Sequence, residues 1–339
     1  MLRCTCARFR SQRRSVSTSA GVTAKSSPEY VSELVRRLDY VSYLPSFFYP
    51  ASARRAYLAI RAFNIELASI KDNVSNPMIG KMRLAFWRDA LEGIFAGRPA
   101  QHPIALELSH AARRHRLTRY HVSKLIDARE ADLTTDIYHT LADLAAYARS
   151  TQYSLLSLQL QTLDIQQSLT QETYNQVDMN VTHDHKTPDP SRPLPLSTID
   201  HALSHLAVSL TLTTLLRALP HHAAKRSAAP IPSEIASKHS LVTEELFRSG
   251  GSAGGLRDAV YDLAGTAFVE LEMARKTLGI DQRIKVPVPV MPALLSATSA
   301  RSYLTLLERA RFDAFEPSLQ RRYWRYPFQV WHDSRRRIF

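Results

Sequence analysis

The sequence predicts an all-α protein folded as a single-domain helical bundle. Three observations predict it. Glycine is scarce, ten in 339 residues, with none between Gly97 and Gly250; long glycine-free stretches rich in Ala, Leu, Arg and Gln favour helix. Apolar residues recur at three- and four-residue steps along most of the chain, the period of a helix with one buried face. No segment of strand length alternates apolar and polar residues convincingly. The balance of 45% apolar to 22% charged residues suits an ordinary globular core.

Residues 1–28, "MLRCTCARFRSQRRSVSTSAGVTAKSSP", carry six cations (Arg3, Arg8, Arg10, Arg13, Arg14 and Lys25), and the first acidic residue is Glu29. An Arg-rich, Ser-rich, acid-free start is the composition of a mitochondrial transit peptide; a plain basic tail is the other reading. Without these six cations the formal charge of +13 becomes +7, which suits proximity to anionic lipid and does not by itself indicate nucleic acid. Both cysteines, Cys4 and Cys6, lie here, so a processed chain would hold no thiol for a disulfide, a thiolate metal site or a nucleophile. Glycine spacing excludes phosphate-binding loops. No run of about 18 apolar residues marks a spanning helix.

From Ser32 to Leu163 nearly every segment has helical period. Ile60, Phe63, Leu67 and Ile70 make one buried stripe. Leu84, Trp87, Leu91, Ile94 and Phe95 make another, ended by "GRP" at Gly97–Pro99. Two more helices follow, through "YHVSKLIDAREADL" and from Thr140 onward. Residues 166–198 read as an exposed loop, because Pro188, Pro190, Pro193 and Pro195 are too closely spaced for a helix. His183, Asp184 and His185 in this loop lack the rigid support a metal site needs. His201 and His205 have the spacing of a zinc pair but no third ligand nearby, and read as helix-surface histidines. Helix returns at 199–219, around Glu244–Arg248 and at Leu256–Leu278. "VPVPVMP" (Val286–Pro292) reads as an extended connector. A last helix, "ARSYLTLLERARFDAF", precedes the aromatic and basic tail "RRYWRYPFQVWHDSRRRIF". The tail suits peripheral membrane contact, since Trp and Tyr favour interfaces and Arg attracts anionic lipid; a terminal helix docked on the bundle is the alternative.

Several stretches together resemble the squalene/phytoene synthase family. They are "YLPSFFYPASARRAYLAIRAFN", "MRLAFWRDALEGIF", "LIDAREADL", the helix of Leu144 and Tyr147, and "TTLLRALPHH" (Thr213–His222). The resemblance implies an all-α bundle around a central cavity. Its enzymes join prenyl diphosphates, using aspartate pairs on two helices to hold magnesium against the departing diphosphate. Here it would place aspartates at Ala68, Ser69 and Asp72, where only Asp72 is acidic, and at Ala218 and His222, where neither is. Between Asp200 and Glu234 there is no carboxylate. Arg61, Ile65, Ala68 and Asp72 fall within about 40° of one line on a helix, whereas Glu66 lies about 120° from Asp72 and cannot replace a lost partner. Pro220 is expected to interrupt the second helix.

Longer patterns, "RAFN.ELA..KD.VS", "G.MR..FW", "D.RE..L" and "FD.F.PSLQ", are similar to a subgroup of that family made of mitochondrial complex I assembly factors. That resemblance implies a non-catalytic matrix protein, peripheral to the inner membrane. Its partners would be complex I subunits or other assembly factors, with no nucleic acid, no metal and no cofactor. The candidate residual-cavity residues are Arg61, Asn64, Glu66, Asp72, Arg129, Glu130, Asp132 and Arg217; no catalytic residue is assigned. Salt bridges between helices are the competing role for them. Two alternatives stay open: an active magnesium-dependent prenyltransferase using Asp72 and Asp132, and a non-catalytic protein holding an isoprenoid or lipid against Phe47, Phe48, Phe63 and Trp87.

Overall fold

Helix α1 (Ser27–Leu38) begins where the acidic residues begin. The Ser26 N–H donates to the Glu29 carboxylate at 3.1 Å, Pro28 sits in the first turn and Arg36 and Arg37 in the last. Each of these choices satisfies a helix end or its dipole. The structured chain therefore starts ahead of Glu29. The structure, a computed structural model, describes residues 26–74, 76–135, 137–165, 194–225 and 230–339; residues 1–25, and the His183–Asp184–His185 triplet with the rest of 166–193, lie outside these. Among the described residues there is no strand.

Asp39 caps the short α2 (Tyr40–Tyr43) by accepting from the Ser42 N–H at 3.2 Å. A 3₁₀ turn then leads to α3 (Ala51–Asn73). The predicted stripe of Ile60, Phe63, Leu67 and Ile70 is buried, and α3 packs against α1 and against α5 (Pro103–His115), α6 (Arg119–Asp132) and α8 (Ser154–Gln161). α4 (Pro77–Phe95) opens with Pro77 and an Asn76 side chain accepting from the Met78 N–H at 2.8 Å. It brings Trp87 edge-on to Phe63, centroids 5.3 Å apart. Its closing turn depends on Gly93, where a Cβ would meet the Arg98 carbonyl at 2.5 Å. α7 (Leu141–Ala148) joins α8 through a π-helical turn, Arg149–Tyr153. There Thr151 Oγ1 donates to the Tyr147 carbonyl at 2.8 Å, supporting a turn whose backbone bonds are looser than α.

The second half is organised by α9 (Leu196–Lys225). It begins inside the expected loop of 166–198 and runs past the expected end at 219. Pro220 lies within it and does not stop it. A proline removes one N–H and presses on the carbonyl four residues back, but buried Leu216, Leu219 and Ala223 on either side hold the helix against the core. α9 also corrects the expectation of no spanning-type helix: an 18-residue window is apolar enough by length and composition, with 67% of it buried inside the fold. Ser and Thr broke the apolar run in the sequence without breaking the apolar average. Its main neighbour is α12 (Leu256–Thr277), reached through α10 (Ser233–Lys238) and α11 (Thr243–Ser249). The "VPVPVMP" connector is extended only at its start, because Met291 opens the short α13 (Met291–Leu294). α14 (Ala297–Arg309) and α15 (Tyr326–Arg336) complete the bundle. The aromatic tail is thus largely a docked helix.

Candidate functional site

α3 carries four candidate residues along its length. Nearest its start, Arg61 is paired with Asp39; both side chains are mostly enclosed, 12% and 19% exposed. Burial alone would push the Asp39 carboxyl up. The Arg61 charge and the hydrogen bonds from Arg61 and Ser42 outweigh it and hold the group below the usual carboxylate range. One turn earlier, Tyr57 donates to the Ser42 carbonyl at 2.7 Å, and burial pushes its hydroxyl well up.

Arg217 comes to the same end of the bundle from α9. Its charge acts on Tyr303 and Tyr326, whose hydroxyls burial pushes up while Arg217 pulls them down. Arg217, Tyr303 and Tyr326 line a cavity of about 450 Å³ with Asp39, Arg37 and Arg322. The Tyr303 hydroxyl is buried without a hydrogen-bond partner among the described residues. Sequence reasoning missed Asp39, Tyr303 and Tyr326 here. Arg321 and Arg322, part of the tail whose composition suits lipid contact, line the same cavity.

A turn further along α3, Asn64 accepts from Arg129 Nη2 at 3.3 Å. Arg129 also donates to the Tyr147 hydroxyl, and its guanidinium lies over that ring at 5.7 Å. Beside them Tyr138 donates to Asp132 at 3.2 Å. Burial and the neighbouring Asp132 push the Tyr138 hydroxyl far up. Lys71 closes the group by donating to the Asp132 carbonyl at 2.7 Å and facing its carboxylate at 3.5 Å. So Asn64, Arg129 and Asp132 converge on one polar network spanning α3, α6 and α7. Glu130 faces the other way and bridges α6 to α4 through Arg88 at 2.6 Å. Glu66 is half-buried on α3, where its carbonyl accepts from Ser69 Oγ at 2.9 Å.

At its far end, α3 presents exposed Asp72 toward His222 of α9. Burial lowers the His222 pKa, and the Asp72 charge opposes that in part. Two of the positions at which the resemblance expects metal-binding aspartates, one on each helix, thus lie near enough for their charges to interact, one occupied by a carboxylate and one by an imidazole. Elsewhere on α9, His201 and His205 bring Nε2 atoms to 3.2 Å, and His205 Nδ1 meets Glu270 at 2.6 Å. The pair is thus tied to α12.

Residues 35–330 match the squalene/phytoene synthase family. Among curated proteins, the chain is similar to "NADH dehydrogenase (ubiquinone) complex I, assembly factor 6" of Rattus norvegicus, 35% identical over 332 residues, covering 98% of this chain and 89% of that one. The protein of the same name from Homo sapiens is 34% identical, covering 96% and 87%. The homolog of Drosophila melanogaster is 30% identical, covering 84% and 76%. Among solved structures, a dehydrosqualene synthase with bound ligand superposes with a TM-score of 0.69 at 14% identity, covering 91% of this chain and 95% of that one. A squalene synthase from Alicyclobacillus acidocaldarius gives 0.65 at 15% identity, covering 85% and 95%. At such identities the likeness is one of fold.

Proposed function

Because the chain belongs to the squalene/phytoene synthase family, we propose that it keeps that scaffold without its chemistry and serves as an assembly factor for complex I, the NADH dehydrogenase of the mitochondrial respiratory chain. The observation that carries the reading is the pairing of two signals: full-length similarity to proteins named complex I assembly factor 6, and the donor set where α3 meets α9. Magnesium takes a near-octahedral shell of oxygen ligands and, in a diphosphate site, at least one or two carboxylates per ion. Here Asp72 stands with an imidazole and with Lys71, itself held by the Asp132 and Thr135 carbonyls. No group of three His, Cys, Asp or Glu suited to a metal occurs among the described residues. That donor set does not fit a magnesium cluster able to draw off pyrophosphate.

On this reading the N-terminal part of residues 1–28 acts as a mitochondrial leader, and a cut ahead of Ser26 would keep the Ser26–Glu29 cap. The folded remainder works in the matrix, in peripheral contact with the inner membrane, with complex I subunits or other assembly factors as partners. Arg61, Asn64, Arg129 and Asp132 remain near the disused site, where their bonds now join neighbouring elements, and Asp72 and Arg217 stay beside it. Deletion of the gene followed by native-gel separation of respiratory complexes tests the proposal. We expect complex I to be depleted and the other complexes kept; normal complex I would refute it. Purified protein incubated with magnesium and farnesyl or geranylgeranyl diphosphate is expected to release no pyrophosphate. Turnover abolished by Asp72→Ala would establish the prenyltransferase alternative instead.

The cavity at Arg217, whose lining includes none of Phe47, Phe48, Phe63 and Trp87, favours one further reading, in which an isoprenoid or lipid is held there, and not against those four residues, without reaction. A lipid found by mass spectrometry in extracts of the purified protein would support it.

A further inference from the structure

α15 is amphipathic in an unusual sense. Its inward face is anchored: Tyr326, Val330 and Asp333 are buried, and Tyr326 donates to the Val41 carbonyl at 3.2 Å. The opposite face carries Trp324, Phe328 and Trp331, exposed by 69%, 66% and 56%. At roughly 100° per residue Phe328, Trp331 and Arg335 fall within about 60° of one line, with Trp324 in the turn just before the helix. Trp324 packs edge-on to Phe328 at 6.4 Å. Arg325 lies against the Trp324 ring at 5.0 Å and Arg335 against Trp331 at 5.8 Å. From Pro317 to Phe339 the one acid is Asp333. It is withdrawn from the surface, accepting from Arg301 and Thr298 at 2.7 Å each.

We propose that this outward face of α15, with Trp324 just before it, is the surface by which the protein sits on an anionic phospholipid bilayer. A large exposed apolar patch marks an interaction site, and the chemistry of this one selects the occupant. Indole rings settle at the depth of the headgroups, where an apolar body and a polar N–H are both satisfied, and Phe joins Trp on the apolar face of interfacial helices. Exposed Arg325, Arg335 and Arg336 stand among the rings, and residues 317–339 expose no acid beside them, so this stretch offers a partner a positive field. Such a field suits a continuous sheet of phosphates. The buried inner face prevents the helix from inserting, which makes the contact shallow and reversible. The inference gives the membrane contact of the preceding reading, on which it rests, a place on the molecule. Vesicle binding can fail while the complex I test succeeds, so the two fall separately.

The full chain reports on the contact itself. Of three tryptophans, Trp87 is buried, so vesicle-dependent emission comes from Trp324 and Trp331. With phosphatidylcholine vesicles containing about a third phosphatidylglycerol, the emission shifts to the blue and the protein floats with the vesicles. With phosphatidylcholine alone it does neither, and rising salt reverses binding. Each arginine near an anionic surface contributes on the order of fivefold, so the triple variant R325Q/R335Q/R336Q partitions about a hundredfold less. W324S/F328S/W331S abolishes flotation while keeping the parent's helical dichroism. Equal binding to neutral vesicles, no binding to anionic ones, or displacement of bound protein by an RNA oligonucleotide would overturn the proposal. Should a variant misfold, quenching of the parent's fluorescence by brominated phosphatidylglycerol decides: strong quenching supports the contact and its absence rejects it.

Discussion

Asp39 and Arg61 show how a residue chosen for one reason serves another. Arg61 stands on the face of α3 that the family resemblance assigns to diphosphate chemistry, yet its charge is spent on Asp39, with both groups largely out of water. Removing one member of such a pair leaves the other charged and unpaired. Asp39→Asn is therefore expected to cost about 3 kcal/mol at pH 7, by urea denaturation. The pH dependence follows from the depressed carboxyl. Its stabilisation is complete above the unfolded value of about 3.9 and is lost as pH falls through the lower folded value. The gap between parent and variant stays constant from neutral pH down to about 4 and narrows below that; a gap unchanged at still lower pH would show that the pairing charge is not the source. Arg61 was legible in the sequence as a candidate and Asp39 was not. The two are 22 residues apart, and only the turn through α2 brings them together. The same holds for Arg129, whose contacts with Asn64 and Tyr147 depend on how three helices cross. Periodicity gives the face of a residue on its own helix and says nothing of the helix opposite.

Helices themselves were legible wherever one face is apolar and the ends are marked. The Ile60–Ile70 stripe and the "GRP" stop after α4 are examples, because spacing and cap chemistry act locally. α9 was misjudged at both ends for a physical reason. A proline and a polar start argue against helix in isolation, but a long segment buried against α12 gains more from packing than these residues cost. The proline still exacts its local penalty, since position 220 cannot donate to the Leu216 carbonyl. Pro220→Ala is expected to restore that bond and raise stability by about 1–3 kcal/mol, read as a higher urea midpoint with unchanged dichroism. A variant no more stable than the parent would mean that the local backbone shape at Pro220 is itself required by the packing of His222 and Ala223. α15 was only partly legible. Its aromatic residues mark both faces, so composition alone leaves membrane contact and docking as rivals, and the structure shows docking on one side with the other side exposed.

At the scale of the whole molecule, that two-sided helix ties one end of the bundle together. Its inward side reaches three places at once. Tyr326 bonds the Val41 carbonyl of α2, Asp333 and Gln329 take hydrogen bonds from Arg301, Thr298 and Ser302 of α14, and the Arg337 carbonyl accepts from Val286 N–H at 3.0 Å. Phe339 is fully buried. The cavity at Arg217 is walled by this same region, through Arg322, Tyr323 and Tyr326. Removing residues 321–339 therefore strips the bundle of a wall as well as an exposed face. Large apolar side chains contribute about 1.5–3 kcal/mol each when buried, and Tyr326, Val330 and Phe339 leave together with Asp333, stranding its partners Arg301 and Thr298. The truncated chain is expected to lose on the order of 5 kcal/mol, seen as a sharply lowered unfolding midpoint or insolubility. Substitutions confined to Trp324, Phe328 and Trp331 are expected to change stability by under about 0.5 kcal/mol, as surface changes usually do. Comparable losses from both would mean that the outward rings support the fold. A large loss from truncation beside an unaltered surface variant would place stability on one side of α15 and leave the other free for a partner.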